Sequence, residues 1–194
     1  MKTRKAGISE KKQGIKQGKK EKAKIFKAVL AGERVFSNAK EAFTLYDSSR
    51  FGEPKEGKIY YSLVEAFYLL EKAKLQIYKG GKKLSQDSLM QEFQNLERNF
   101  NTRFIVFRDM RNRGYIIKTA LKFGADFRVY ERGVKPGEEH ARWVLYPVFE
   151  STGLTWHEFA AKNRVAHSTR KKLLIAVVDD ENDVTYYEVA WKRP

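Results

Sequence analysis

The C-terminal half of this chain is a succession of strand-length apolar segments broken by one capped helix. No other feature constrains the fold as much. The segments "YIIKTAL" (115–121), "DFRVYE" (126–131) and "RWVLYPVFE" (142–150) have the length and β-branched or aromatic content of strands. "TWHEFAAKNRVAHSTR" (155–170) then takes up helical period, with Thr155 as N-cap and Glu158 at capping-box spacing. "KKLLIAVVDD" (171–180) reads as a buried strand ending in acids, "END" (181–183) as a turn and "VTYYEVAWKR" (184–193) as a final strand. Ahead of these, "NTRFIVFRDMRNRG" (101–114) is helical in period and stops at Gly114. A mixed sheet flanked by helices is the natural product.

The first half is more mixed. "ERVFS" (33–37) and "GKIYYS" (57–62) read as strands, and "NAKEAFTLYDSSRFG" (38–52) as a helix capped by Asn38 and stopped at Gly52. Ser62 and Glu65 have capping-box spacing, which predicts a helix over "SLVEAFYLLEKAKLQIY" (62–78). Leu63, Ala66, Phe67, Leu70 and Ala73 would line one face of it. "KGGKK" (79–83) is a turn and "SQDSLMQEFQNLERNF" (85–100) another amphipathic helix. The fold class is therefore α+β, or α/β in its second half. A small N-terminal α+β domain (25–100) precedes a mixed-sheet domain (101–194), and residues 1–24 form a basic tail expected to be disordered.

Charge narrows the partners. The net charge is +15, and residues 1–24 hold ten Lys/Arg against two acids, a net +8, which leaves +7 on residues 25–194. A globular part that is basic in its own right points to a polyanion such as nucleic acid. No apolar run has the ~20 residues of a membrane-spanning helix, and the Lys-rich start has no apolar stretch after it, so neither a membrane association nor a signal peptide is expected. There is no cysteine, which excludes thiolate ligands and suits a reducing cytoplasm, the expected location.

Little in the chain carries obvious chemistry. The three histidines, His140, His157 and His167, make no HxxH or HExxH pattern, so neither a metal nor another cofactor is expected. His157 and His167 fall on the 155–170 helix and read as surface or packing residues. Asp126, Glu131 and Glu150 with Lys135 offer only a loose set for a metal-dependent nuclease. There is no phosphate-binding glycine loop and no G-x-S-x-G. What stands out is "FGADFRVYERGVKPGEEHARW" (123–143), two strands around a Gly/Pro loop. Tyr130 stands near the end of the first and His140 near the start of the second, so two proton-moving groups flank one loop.

These residues carry a resemblance. "YIIKTALKFGADFRVY", the histidine of "GEEHARW", "RVAHSTRKKLLIAVVDDE" and "VTYYEV" resemble the catalytic half of the archaeal tRNA-splicing endonucleases, and "RFGEPKEGKIYYSLVEAFYLLEKAKLQI" resembles their N-terminal domain. The resemblance implies a Tyr/His/Lys triad at Tyr130, His140 and Lys171, with Lys171 preferred to Lys172 because it directly follows Arg170. It implies that Arg164 is one of two arginines that hold a bulged base, while Tyr186 and Tyr187 stand where the second is sought. It also implies that the acidic loop Asp179, Asp180, Glu181 and Asp183 enters a basic pocket of a neighbouring subunit.

The activity so implied is metal-independent cleavage of precursor tRNA at bulge–helix–bulge sites, leaving 2′,3′-cyclic phosphate and 5′-OH ends. With one repeat and a full triad the chain would form a homotetramer, or a heterotetramer with an inactive partner. The alternative is a non-catalytic RNA-binding subunit of such an assembly. An ordinary imidazole, pKa ~6.5, can serve as the acid, and an ordinary lysine, pKa ~10.4, as a fixed positive charge. Tyr130 is implied as the base, yet a phenol of pKa ~10 is on the order of 0.1% ionised at pH 7. That role needs a depressed pKa, which a nearby Lys171 could supply; otherwise Tyr130 only orients the 2′-OH.

Overall fold

A computed structural model describes residues 25–120 and 124–192. The basic tail and Leu121, the last residue of the first C-terminal strand segment, lie outside the described residues. The N-terminal sheet is built from β1 (Phe26–Ala31), β2 (Arg34–Ser37), β3 (Glu53–Lys55), β4 (Lys58–Tyr61), β5 (Leu75–Lys79) and β6 (Lys82–Lys83), in the order β3-β4-β2-β1-β5-β6. Only its β1–β5 pair is parallel. The C-terminal sheet holds β7 (Ile116–Thr119), β8 (Phe127–Tyr130), β9 (Trp143–Phe149), β10 (Lys172–Val178) and β11 (Val184–Val189), in the order β11-β10-β9-β8-β7. Its β9–β10 pair is parallel and joined through a helix, as a parallel pair requires. The helices are α1 (Lys40–Ser49), α2 (Leu63–Glu71), α3 (Gln86–Leu96), α4 (Phe100–Asn112) and α5 (Trp156–Ser168). The expected α+β architecture with a mixed C-terminal sheet is thus present.

One hydrophobic core joins the two sheets, running from Phe26 and Ile77 through α2 and α4 to Phe127, Leu145 and Val178. Its centre is aromatic. Phe67 meets Phe93, Phe100 and Phe104 edge-on at centroid distances of 6.2, 5.8 and 4.8 Å, and Phe107 meets Phe127 at 6.1 Å. Each such buried ring is worth roughly 1.5–3 kcal/mol of transfer free energy. A second, smaller cluster lies on the other face of the C-terminal sheet, where Ala166 of α5 covers Val144, Tyr146 and Leu173. That face carries the site described below.

Three readings of the first half are corrected. Asn38 does not cap α1; the N-cap is Ala39, and the Ser37 hydroxyl accepts from its N–H instead. The helix expected over residues 62–78 ends at Glu71, and its last part is the strand β5. The stop is Ala73 at φ +53°, in the left-handed region, with Ala73 N–H donating to Leu70 and Lys74 N–H to Leu69, the bond pair of a Schellman cap. Ala73 is therefore exposed rather than on the helix's inner face, and Leu63 through Leu69 are buried all round because α2 is wrapped by sheet and helices. The final strand closes at Val189, short of the segment to 193.

Candidate active site

Each side chain of the site is aimed by local structure. Tyr130 is the last residue of β8, in register with Ile116 of β7, and is 4% exposed as a residue. The chain then leaves the sheet in a loop, 131–142, that turns through Gly133 and Gly137, both at positive φ, before β9 begins. His140 is exposed on that loop. Lys171 is set by the end of α5, where Arg170 takes φ +54°, Arg170 N–H donates to His167 and Lys171 N–H to Ala166. This is again a Schellman cap, with an arginine where glycine is the usual residue. It turns the chain sharply from α5 into β10. The Lys171 ammonium donates to the Thr169 carbonyl at 2.9 Å, while Lys172 pairs with Glu188 of β11 at 2.5 Å.

The result is a cleft of about 370 Å³ lined by Arg128, Tyr130, Glu138, Glu139, His140 and Lys171 among others, so the three triad candidates from three chain segments meet in one cavity. Lys172 is not among its walls, which favours Lys171 of the two. Burial pushes the Tyr130 phenol above its ordinary value, Glu53 of β3 adds to this, and Arg128 opposes it. The depressed phenol that a base role calls for is thus not found in the free protein. The cation that opposes the shift is Arg128.

The other candidates are placed apart. Arg164 lies exposed on α5 and is not part of the cleft wall. Tyr186 donates its hydroxyl to Asp109 of α4 at 2.7 Å, whereas Tyr187 is 56% exposed and can meet a base. Asp179, Asp180, Glu181 and Asp183 form the β10–β11 turn. Within it Asp179 accepts from the Asp183 N–H at 2.8 Å, and Asp180, Glu181 and Asp183 are exposed. The acids of the metal-nuclease alternative do not converge. Asp126 pairs with Arg103 at 3.1 Å, Glu131 with Arg142, and Glu150 accepts from the Asp180 N–H. Among the described residues no group of three or more His, Asp or Glu is arranged to hold a metal ion. His157 is exposed, and the His167 ring stands 4.6 Å from that of Trp191. The residue that sequence reasoning missed is Arg128. Its signal was present in the two-residue spacing from Tyr130, which puts both side chains on one face of β8.

Fold and cleft together define a two-sheet α+β protein whose C-terminal sheet carries a cleft lined by a tyrosine, a histidine, a lysine and an arginine. Residues 100–186 match the family of the tRNA intron endonuclease catalytic C-terminal domain, and residues 26–90 match its N-terminal domain. Among curated proteins, the tRNA-splicing endonuclease of Thermococcus onnurineus is 42% identical over 165 residues, covering 84% of this chain and 95% of that one. That of Nanoarchaeum equitans is 46% identical over 138 residues, covering 68% and 88%. That of Methanothermobacter thermautotrophicus is 43% identical over 152 residues, covering 77% and 87%. This chain belongs to the tRNA intron endonuclease family, and its C-terminal sheet with α5 lies within that family's catalytic domain.

Proposed function

We propose that this chain excises introns from precursor tRNA by cutting at bulge–helix–bulge sites without a metal ion, leaving 2′,3′-cyclic phosphate and 5′-OH ends. The observation that carries this reading is the single cleft gathering Tyr130, His140 and Lys171. RNA brings its own nucleophile, the 2′-OH beside the scissile phosphate, so the protein has only to orient it, protonate the leaving oxygen and offset the developing charge. Tyr130 takes the proton of the 2′-OH, or orients that hydroxyl while solvent takes the proton, and the 2′-oxygen attacks phosphorus as the bond to the 5′-oxygen breaks. His140 gives that oxygen its proton, and Lys171 faces the charged phosphorane. The test is incubation of the purified chain, alone and in EDTA, with an end-labelled bulge–helix–bulge RNA. Cyclic phosphate and 5′-OH termini are expected. Cutting that appears only when magnesium is added would overturn the mechanism, and no cutting in either condition would point to a missing partner subunit.

Intron excision needs two cuts, and each chain has one such cleft. A homotetramer answers this, with the exposed acids of the 179–183 turn entering a basic pocket of a neighbouring copy; a heterotetramer with an inactive partner is the alternative assembly. The double reversal Asp180→Lys, Glu181→Lys should reduce the assembly's mass in light scattering. An unchanged mass would remove the turn from the interface. Arg164 and Tyr187, both exposed, are the groups proposed to hold the bulged base, since an aromatic face stacks on any base and adds about 1–3 kcal/mol.

A further inference from the structure

Like Arg50, Arg103 and Arg111, Arg128 has a buried Nε without a hydrogen bond, but unlike the last two it has no other partner among the described residues. Arg103 pairs with Glu97 and Asp126, Arg111 donates to the Ser49 carbonyl, and Arg142 pairs with Glu131. Arg128 has no such partner among the described residues. Its Nε is fully buried and without a hydrogen bond, and its guanidinium carbon stands 6.0 Å from the centre of the Tyr130 ring. It lies opposite Val144 of β9, which also lines the cleft, so strand register points it at the same cavity as Tyr130. A permanent cation that lines a cleft without an anionic partner favours an anion bound there, which its terminal N–H groups can meet.

The arrangement across the sheet says where that anion would sit. Lys171 enters the cleft from the β10 side and Arg128 from β8, with β9 between them. Two carboxylates share the cavity, Glu138 and Glu139, both on the 131–142 loop. Glu138 is turned back to accept from the Lys135 N–H at 3.2 Å, so it does not pair with the guanidinium.

We propose that Arg128 is a phosphate-binding residue of this cleft, donating its terminal N–H groups to non-bridging oxygens of the scissile RNA phosphate opposite Lys171. This rests on the RNA-cleaving reading above and adds a contact to it. The planar fork suits a phosphate in a way a lysine in its place would not. The same guanidinium lies against the phenol ring, so it ties the position of the phosphate to that of Tyr130.

The test uses the full chain and a bulge–helix–bulge RNA made uncleavable by one 2′-deoxy nucleotide at the cut. Binding is measured against salt concentration for the wild type, Arg128→Gln and Arg128→Lys. Loss of one phosphate contact should lower the slope of log K against log salt by about 0.7 in Arg128→Gln. Arg128→Lys should keep the slope yet cut all-ribose RNA on the order of 100-fold more slowly in single turnover, as expected for a lost transition-state donor. A purely structural role would leave the salt slope unchanged. Wild-type slope in Arg128→Gln, or cleavage within twofold of wild type in Arg128→Lys, overturns the proposal. If Arg128→Gln fails to fold, Arg128→Lys decides alone. If the wild type cuts no RNA, the function above fails, and the slope still decides whether Arg128 binds phosphate.

Discussion

Replacing Lys118 with methionine should destabilise the fold by about 3–5 kcal/mol at pH 7, because it strands a buried carboxylate. Lys118 and Glu65 are 4% and 3% exposed, and their charged atoms lie 2.7 Å apart. The Lys118 ammonium also donates to the carbonyls of Gly52 at 2.8 Å and Arg50 at 3.2 Å. Glu65 accepts from the N–H groups of Gly52 and Ser62 and from the Ser62 hydroxyl. Gly52 allows the close approach: it has φ +75°, and a Cβ there would stand 2.4 Å from the Ile59 side chain. The clasp ties β7 to α2 and to the turn before β3. Since Ile116 of β7 pairs with Tyr130, it also holds the strand beside the cleft.

The pH dependence has a definite sign. Burial alone would raise the Glu65 carboxyl, but Lys118 and the two N–H donors overcome it and hold it below its ordinary value. A depressed carboxyl contributes stability that is full above the unfolded value, ~4.3, and is lost as pH falls through the folded one. In Lys118→Met the balance reverses. Glu65 then titrates above its unfolded value, and the penalty disappears once it is protonated in both states. The difference between the two proteins should therefore shrink as pH falls, first above ~4.3 as Glu65 takes up its proton in Lys118→Met and then below it as the parent clasp weakens. Urea unfolding at pH 7 and at acid pH measures it, with a melting shift of roughly 6–20 °C at neutral pH for a chain of this size. Adding Glu65→Gln to Lys118→Met should recover part of the loss. A loss under about 1 kcal/mol, or one that does not change with pH, would mean that water reaches the pair.

Most of the C-terminal half was legible because local signals and global need agree there. The capping box of Thr155 and Glu158 starts α5, Gly114 closes α4 at φ +88°, and the apolar run 172–178 becomes the strand that is paired on both sides. The end of α2 was not legible. The same cap geometry that Gly114 announces is adopted at Ala73, a residue that favours helix and usually avoids positive φ. What ends the helix there is β5, whose Leu75 and Ile77 are buried beside β1. No local rule sees that tertiary demand. Tyr130, His140 and Lys171 could be named from the sequence, but not the sense of the Tyr130 shift. That depends on burial, on Glu53 from a different sheet and on Arg128 two residues away, none of which a one-dimensional reading ranks.

An RNA carrying a single 2′-deoxy nucleotide on the 5′ side of the cut should be cleaved at least ~10⁵-fold more slowly than the all-ribose substrate. The reasoning is one of proximity. The 2′-OH is held within a bond or two of phosphorus, and well-placed intramolecular nucleophiles act at effective molarities of about 10⁵–10⁸ M. Among the described residues no cluster of three or more His, Asp or Glu is placed to hold a metal ion that would activate a water in its stead. In the proposed roles the side chains are worth less than the nucleophile: loss of His140 as proton donor should cost about 10²–10⁴-fold and loss of the Lys171 charge about 10²–10³-fold. Tyr130 separates by pH. Its phenol is pushed above the ordinary value, so phenolate grows about tenfold per pH unit across the neutral and alkaline range. If Tyr130 takes the 2′-OH proton while His140 gives one, growth of phenolate offsets loss of imidazolium, so single-turnover rates should stay level above the ordinary imidazole range of ~6.5, and Tyr130→Phe should instead fall about tenfold per pH unit there. If it orients the hydroxyl, Tyr130→Phe should lower the rate equally at every pH. Efficient cutting of the deoxy substrate would defeat both readings together, because it would require an external nucleophile that neither of them supplies.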